Sequence, residues 1–306
     1  MDDQALDCLI IGGGPAGLTA AIYLSRFHLR VRVVDEGRSR AGWIPCTRNV
    51  PGFPDGIAGE ELLDRMRAQA EKYGVAFTRS RVTRLDRAED GFTAEWGAGT
   101  ATARAILLAT GIRNRRPDMD EELHDEGLAR GLIRYCPICD GFEVTDRKVG
   151  VIGSGSHGVA EAVFLRSYTA DVTLIAPGEA HSLSADDQAR LRDHAILALD
   201  GPARGVALQE NCIVVETAQG HHAFDSVYPA LGSDIHSELA EQVDVATNGE
   251  TGCISVDSHQ RTNVPGIYAA GDVVIGLDQI SHAMGEGGVA ATTIRNDLAK
   301  RAPLDR

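Results

Sequence analysis

The sequence feature that most constrains the fold is a glycine fingerprint that directly follows a short apolar run at residues 6–11. Its glycines are Gly12, Gly14 and Gly17, with Pro15 and Ala16 between the last two. An apolar run of this length predicts a buried parallel strand. The glycines allow a tight turn, close approach of the backbone to a pyrophosphate, and close packing of the following helix. The fingerprint therefore predicts a dinucleotide-binding turn between a strand and a helix.

The residues that follow complete a strand–helix–strand unit. Residues 18–27 have helical apolar spacing, and residues 30–34 alternate as a second strand that ends in Asp35 and Glu36. Asp35 lies 23 residues after Gly12, where an acidic side chain can bind the hydroxyl groups of a ribose. A glycine fingerprint alone is weak evidence, but strand, helix, second strand and terminal acid together favour a nucleotide site over a chance turn.

A second fingerprint of the same kind lies in the middle of the chain. Residues 148–152 predict its strand, residues 159–166 its helix and residues 172–175 its second strand. Its glycines are Gly153, Gly155 and Gly158. The position that corresponds to Asp35 is Ala176, and no arginine cluster follows it for a ribose 2′-phosphate. This site is expected to bind a pyridine nucleotide weakly, differently or not at all.

Between the two fingerprints lies a cysteine pair, Cys136 and Cys139, followed directly by Asp140. Pro137 suits the first position of a helix, so Cys136 is expected at the N-cap, where the helix dipole and free N–H groups favour a thiolate. A second thiol nearby can resolve a mixed disulfide, and Asp140 can donate or accept a proton at that step. Redox use is favoured over a buried inert pair. No metal site is predicted, because structural zinc needs four ligands.

Composition limits the class of protein. The chain has 306 residues, of which 43% are hydrophobic, which predicts two domains. Its net charge of −14 argues against binding to nucleic acid or to an anionic membrane. Residues 1–4 contain no basic cluster, and the first apolar run is too short for a signal sequence or membrane span. We therefore expect a cytoplasmic protein whose six cysteines do not form a structural disulfide framework.

The remaining segments have local patterns that predict individual elements. A loop at residues 42–54 contains three prolines, Cys46 and Trp43, which either anchors the loop on the core or lies beside a flat cofactor. Two linkers are expected, at residues 114–117 and 232–234. Helices are predicted at residues 59–73 and 279–299, and strands at residues 76–78, 81–85, 92–96, 105–108, 212–216, 226–231 and 267–270.

Four motifs, in this order along nearly the whole chain, make the sequence resemble the low-molecular-weight thioredoxin reductases. They are residues 12–17, residues 109–111, the cysteine pair with the fingerprint after it, and residues 269–272. The resemblance implies an α/β fold of two Rossmann-like, three-layer ββα dinucleotide-binding domains, the second inserted into the first. The FAD-binding domain is then residues 1–114 plus 242–306, and residues 115–241 form the inserted NAD(P)-type domain with the cysteine pair.

The resemblance also implies an FAD-dependent thiol–disulfide oxidoreductase, usually a homodimer, that reduces a thioredoxin-like protein disulfide. Cys139 would lie against the flavin as the charge-transfer thiolate, Cys136 would attack the partner's disulfide, and Asp140 would handle protons. Domain rotation about the two linkers would present the disulfide alternately to flavin and partner. The FAD contacts implied are Gly12, Gly14, Pro15, Ala16, Gly17, Asp35, Glu36, Asn49, Thr110, Gly111, Gly271, Asp272, Gln279 and Ile280.

The chain departs from the family pattern, and these departures leave alternatives open. The arginines that bind the NADPH 2′-phosphate are absent from residues 176–183, so the donor is NAD(P)H or another reductant such as ferredoxin or a flavin protein. A second hypothesis is an oxidase of a small dithiol that uses FAD and oxygen. Such oxidases commonly have histidine where this chain has Asp140, which favours reductase chemistry. A third is a flavin-binding redox sensor without efficient turnover.

Overall fold

The computed structural model describes residues 6–304, except for the side chains of residues 204 and 205. The expectation about residues 1–4 falls outside this part of the chain. The chain divides into two compact units, which are described separately. The first contains residues 1–43, 57–113 and 235–306, and the second contains residues 44–56 and 114–234.

The elements alternate between strand and helix for much of the chain, as expected for an α/β protein. Up to the crossing at residues 113–114 they are β1 (Leu6–Ile11), α1 (Pro15–Arg26), β2 (Val31–Asp35), α2 (Gly59–Lys72), β3 (Ala76–Arg79), β4 (Arg84–Ala88), β5 (Gly91–Trp96), β6 (Gly99–Leu108) and β7 (Ile112–Asn114). Next come α3 (Glu121–Ala129), α4 (Pro137–Asp140), β8 (Val149–Gly153), α5 (Gly155–Leu165), β9 (Val172–Ile175), α6 (Ala185–Asp193), β10 (Leu197–Leu199), β11 (Arg204–Leu208), β12 (Ile213–Thr217), β13 (Gly220–Phe224), β14 (Ser226–Ala230) and β15 (Ser233–Ile235). The chain ends with α7 (Glu238–Glu241), β16 (Ile267–Ala269) and α8 (Ile280–Arg301).

The first unit is built on one mixed sheet with the strand order β3-β2-β1-β6-β5-β4, in which β16 also pairs with β6. Strand β6 joins two kinds of pairing. Its last residues run parallel to β1 and β16, whereas its first residues pair antiparallel with β5. The sequence predicted only residues 105–108 of this strand, because its first half is a mixed run of small residues without a strong apolar signal.

Alternating residues of the central strands fill two separate cores in this unit. Ile10 and Leu107 pack with small residues of α1 and α8, such as Ala21 and Ala290. On the opposite face of the sheet, Leu9 packs in a second hydrophobic core that includes Trp96. Each large aliphatic side chain buried in this way contributes about 1.5–3 kcal/mol to folding. The sheet is therefore covered on both faces, as the near-continuous apolar run of β1 requires.

The second unit has a smaller four-stranded parallel sheet with the strand order β10-β9-β8-β14. Helix α5 packs against it through Val159, Ala162 and Leu165, in a core that also contains Tyr228. A separate antiparallel sheet, β11-β12-β13, precedes β14. This arrangement is a second strand–helix–strand nucleotide-binding fold, so the α/β class expected from the sequence is correct.

The unit boundaries differ from the expected domain limits by one residue at 113–114 and by more at two other places. The chain returns to the first unit at residue 235 rather than 242. Leu239 and Ala240 are buried in the same core as Leu9, which explains why the return comes earlier. Residues 44–56, expected in the first domain, group with the second unit. The linkers expected at residues 114–117 and 232–234 lie beside the two later crossings.

Several elements begin at other positions than the sequence indicated. Helices α1 and α5 begin at Pro15 and Gly155 rather than at residues 18 and 159, because the fingerprints themselves form the first helical turns. Strand β4 begins at Arg84, three residues after the expected start. Helix α6 was not predicted, although Ser184 and Asp187 form a capping box that marks its start. Strands β10, β11 and β13 were also missed.

Candidate active site

Cys136 and Cys139 form a disulfide in this structure, with an S–S distance of 2.04 Å. Cys136 is the N-cap of the single-turn helix α4, as the sequence predicted from Pro137. The backbone N–H of Cys139 donates to the carbonyl oxygen of Cys136 at 2.9 Å and to its Sγ at 3.1 Å. An N–H group that points at Sγ favours negative charge there, so the local fold supports a thiolate at Cys136.

Asp140, the last residue of α4, is held through both of its carboxylate oxygens. Nη1 of Arg134 donates to Oδ2 at 2.9 Å, and the hydroxyl of Tyr228 donates to Oδ1 at 2.9 Å. Burial raises the pKa of Asp140 above its ordinary value, while the charge and hydrogen bond of Arg134 and the hydrogen bond of Tyr228 oppose that shift. The two donors therefore partly offset the desolvation of a carboxylate next to the disulfide.

Arg134 is itself fixed by strand β14. Its backbone N–H donates to the carbonyl oxygen of Val227 at 2.9 Å, and its Nε donates to the hydroxyl of Ser226 at 3.3 Å. That hydroxyl in turn donates to the carbonyl oxygen of Gly131 at 2.6 Å. Neither Arg134 nor Tyr228 was selected from the sequence. The sequence signal for Tyr228 was its position in an apolar strand, because the hydroxyl of a buried tyrosine needs a hydrogen-bond partner.

The disulfide borders an open hollow of about 580 Å³ within the second unit. Its lining is Arg48, Asn49, Ile138, Cys139, Phe142, Glu143 and Tyr168. Phe142 is 79% exposed and Ile138 is 48% exposed, whereas Nη1 of Arg48 lies 3.7 Å from Oε1 of Glu143. A Cβ at Gly141 would lie 2.4 Å from the ring of Tyr168, so this turn needs glycine. The hollow therefore combines apolar surface, paired charges and a reactive sulfur.

The first fingerprint has the geometry that a pyrophosphate site requires. Gly12 has φ +111°, and a Cβ there would lie 2.1 Å from the carbonyl oxygen of Ala109. A Cβ at Gly17 would lie 2.0 Å from the carbonyl oxygen of Gly12. Gly14 is the N-cap of α1, and no side chain caps it. The N–H groups at the start of α1 can therefore bind a phosphate, and these residues fit the FAD implied by the sequence.

Asp35 lies at the end of β2, next to this turn. A Cβ at Gly13 would lie 2.6 Å from the Asp35 carboxylate, and Nη2 of Arg67 is 3.3 Å from its Oδ2. Glu36 follows on the surface and is exposed. The structure therefore places Asp35, rather than Glu36, against the fingerprint, where it could bind a ribose.

Asp272 belongs to a charged cluster that the sequence did not indicate. Nη1 of Arg40 lies 3.0 Å from Oδ2 of Asp272 and 3.4 Å from Oδ2 of Asp278. Partial burial and the charge of Asp272 raise the pKa of Asp278 to about 6. These groups lie next to Gln279 and Ile280, the N-cap and first residue of α8.

The turn that carries Asp272 is fixed by the last helix. Oε2 of Glu286 accepts a hydrogen bond from the N–H of Gly271 at 2.7 Å, and its Oε1 lies 3.0 Å from Nε2 of His282. On the neighbouring strand end, the hydroxyl of Thr110 donates to the carbonyl oxygen of His236 at 2.6 Å, and Gly111 follows with φ +65°. Asn49, the remaining FAD contact implied, lines the hollow beside Cys139.

The second fingerprint is also formed, but its ribose-binding side is different. Strand β8 ends at Gly153, α5 begins at Gly155, and a Cβ at Gly158 would lie 2.8 Å from the backbone of Gly153. The position that corresponds to Asp35 is the fully buried Ala176. The loop after β9 approaches the fingerprint, since the N–H of Ser182 donates to the hydroxyl of Ser154 at 3.3 Å. The phosphate-binding turn is therefore present, but alanine stands at the position that corresponds to Asp35.

The other four cysteines are free thiols. Cys8 is fully buried, and burial raises its pKa. Cys212 directly precedes β12, so it lies outside the strand that was expected to begin at residue 212, and Cys253 is buried outside the named strands. Across residues 6–304, no group of three or more His, Cys, Asp or Glu residues could hold a metal ion. No helix in the same range combines the length and the apolarity that crossing a membrane would need.

Comparisons with known proteins agree with this arrangement. The family model "Pyridine nucleotide-disulphide oxidoreductase" matches residues 6–287. The chain is 30% identical to a thioredoxin reductase of Listeria innocua over 94% of the chain and 92% of that protein. It is 33% identical to a thioredoxin reductase of Streptomyces coelicolor over 87% and 85%. The crystal structure of thioredoxin reductase from Streptococcus pyogenes matches with a TM-score of 0.88 at 28% identity, covering 98% of this chain and 100% of that one.

Proposed function

Because the chain belongs to the pyridine nucleotide-disulphide oxidoreductase family, we propose that it is a thioredoxin reductase-like enzyme that reduces a protein disulfide, such as that of thioredoxin, through Cys136 and Cys139. The observation that carries the proposal is the Cys136–Cys139 disulfide, which borders an open hollow and is followed by a fixed carboxylate, Asp140. The enzyme is an FAD-dependent thiol–disulfide oxidoreductase, and the partner and donor are the parts that need a test.

The residues that would hold FAD are those of the first fingerprint, together with Asp35 and Asp272. Gly14 leaves room for a pyrophosphate at the start of α1, and Asp35 supplies an acceptor for ribose hydroxyl groups. When bound, FAD would carry two electrons from a reductant to the disulfide. Arg40 and Glu286 hold Asp272 and its turn in place.

The apolar surface around the disulfide favours a protein substrate over a small dithiol. Phe142 and Ile138 are exposed on either side of Cys139, and large exposed apolar groups of this kind typically mark interaction sites. A partner segment that carries a disulfide could bury both side chains while Arg48 and Glu143 contact its polar groups. Replacing Phe142 with Ala should therefore raise the KM for a protein disulfide more than that for a small aromatic disulfide.

For the donor, we propose a pyridine nucleotide bound at the second fingerprint, without strong preference for the 2′-phosphate. Gly153, Gly155 and Gly158 support the phosphate-binding turn, whereas Ala176 removes the ribose acid. A homodimer, which the sequence resemblance implies, and a cytoplasmic location, which the composition led us to expect, are part of the same proposal. Light scattering of the purified enzyme would determine its mass.

The test is anaerobic reduction of the purified flavoprotein, followed by flavin absorbance, with NADPH and NADH in separate cuvettes. We expect bleaching by both nucleotides at rates within about tenfold, followed by reoxidation on addition of oxidised thioredoxin. Bleaching by dithionite or a dithiol, but by neither nucleotide, would contradict the donor proposal. Turnover of a small dithiol with oxygen, without any reaction with protein disulfides, would contradict the reductase function.

A further inference from the structure

We propose that Tyr228 and Arg134 are positioning residues that fix the carboxylate of Asp140 for proton transfer during thiol–disulfide exchange. The inference rests on the proposed function and assigns roles to two residues that the cysteine motif does not identify. Neither side chain needs to touch the substrate. Each acts through Asp140, which directly follows Cys139 in the chain.

The geometry leaves the carboxylate little freedom. One oxygen accepts from Arg134 and the other from Tyr228, both at 2.9 Å, so rotation about the carboxylate would break two charge-assisted hydrogen bonds together. The side chain of Asp140 is only 25% exposed and that of Arg134 only 19% exposed. A carboxylate held from two sides in this way is pre-oriented for a proton that arrives or leaves at a defined atom.

Both donors are fixed by the same rigid strand, β14. Tyr228 is fully buried in the core of the second unit, and its backbone pairs in parallel with Val151 of β8. Arg134 is tied to that strand through the carbonyl oxygen of Val227 and the hydroxyl of Ser226. Since Tyr228 lies 88 residues from Asp140 in sequence, this support comes from the sheet rather than from the cysteine turn.

The charges around Asp140 show what each donor contributes. Arg134 and Tyr228 lower the pKa of Asp140, whereas burial and the charge of Glu143 raise it. Glu143 itself lies 3.7 Å from Arg48. Helix α5 packs against α4 and carries His157 and Glu161. Nε2 of His157 lies 3.5 Å from Oε1 of Glu161. Loss of either donor should therefore allow Asp140 to keep its proton to higher pH.

The exchange has two steps, each of which breaks one disulfide bond and forms another. The Cys136 thiolate attacks one sulfur of the partner disulfide, forming a mixed disulfide, and the departing partner sulfur takes a proton from Asp140. The Cys139 thiolate then attacks Sγ of Cys136, re-forms the Cys136–Cys139 disulfide, and releases the second partner thiolate, which takes a proton from water. Asp140 regains its proton from water, and two electrons have passed from the enzyme dithiol to the partner.

The test is the pH dependence of thiol alkylation in the FAD-loaded, dithiol-reduced enzyme. The rate of iodoacetamide labelling at Cys136 and Cys139 is followed by mass spectrometry between pH 4 and 10. The wild type should show an inflection from Asp140 in addition to that of the thiols, and Asp140→Asn should remove it. We expect Tyr228→Phe to shift this inflection upward by about one pH unit and Arg134→Gln by roughly one to three.

Tyr73→Phe is the matched control, because Tyr73 also has a hydrogen-bonded hydroxyl, which accepts from Nη1 of Arg26 at 2.7 Å, but lies in the first unit, away from Asp140 in the second. Its profile should match the wild type. An unchanged inflection in Tyr228→Phe, or in Arg134→Gln where the first variant does not fold, would overturn the proposal. The assay needs neither a nucleotide nor a partner protein. If the Asp140 inflection shifts as expected in the variants but the wild-type enzyme does not reduce thioredoxin, the proposed partner is rejected and this inference stands.

Discussion

At the scale of single residues, the two cysteines of the disulfide have different surroundings. Cys139 lines the open hollow, whereas Sγ of Cys136 accepts the N–H of Cys139 at the start of α4. An N–H donor at Sγ stabilises charge on Cys136 once the disulfide is reduced. These surroundings support Cys136 as the thiol that attacks the partner and Cys139 as the thiol that resolves the mixed disulfide.

This division of roles predicts what Cys139→Ser will do. The variant should lose disulfide turnover to the level of the uncatalysed reaction, keep its FAD, and accumulate a mixed disulfide between Cys136 and the partner, because no thiol remains to resolve it. Flavin absorbance, turnover and non-reducing electrophoresis measure the three properties. Cys212→Ser, which removes a free thiol from another part of the fold, should behave as wild type. Persistent turnover in Cys139→Ser would refute the assignment.

The sequence was sufficient for the residues whose roles depend on their neighbours in the chain. Cys136 is an N-cap because Pro137 follows it, and Gly12 makes its turn because a strand and a helix flank it. Some of the groups that bind the acidic side chains lie far from them in the sequence. Tyr228 lies 88 residues from Asp140, and Arg40 lies 232 residues from Asp272. No local pattern connects such pairs, so only the folded sheet reveals them.

At the scale of elements, the packing of α8 on α1 determines how the first fingerprint is supported. The two helices meet through small residues, and a Cβ at Gly287 would lie 2.3 Å from the carbonyl oxygen of Ala16, in the first turn of α1. The sequence showed small residues at the start of this last helix but not what they contact. The contact explains them, since a close helix pair has no room for side chains at the crossing.

We therefore expect Gly287→Ala to destabilise the protein by about 1–3 kcal/mol, because the new methyl group must displace backbone rather than a flexible side chain. FAD affinity should fall as well, since Ala16 lies within the fingerprint. Gly285→Ala on the same helix is the matched control. Among residues 6–304, nothing lies within 4 Å of its Cβ position, and alanine favours helix over glycine by about 1 kcal/mol, so this variant should be at least as stable as wild type. Thermal unfolding and flavin fluorescence distinguish the two.

At the scale of the whole molecule, each compact unit has its own hydrophobic core and its own nucleotide fingerprint. The first unit contains the two cores that cover its mixed sheet, and the second contains the core around Val151 and Tyr228. The cofactor residues with the better fit, including Asp35 and Asp272, all belong to the first unit, while the disulfide belongs to the second. Binding of FAD and reduction of the disulfide should therefore act on different cores.

Separate cores predict separate responses to heat. FAD at about 100 times its Kd stabilises the unit that binds it by about 2.7 kcal/mol, which should raise the unfolding temperature of that unit by roughly 5–10 °C. Calorimetry of the flavin-free protein with and without added FAD should show one transition that moves and one that does not. Reduction with a dithiol should move the other transition, because it opens the Cys136–Cys139 bond in the second unit. A single transition that FAD shifts as a whole would contradict independent cores, and Asp35→Ala, which weakens the FAD site alone, should reduce the FAD-dependent shift without changing the dithiol-dependent one.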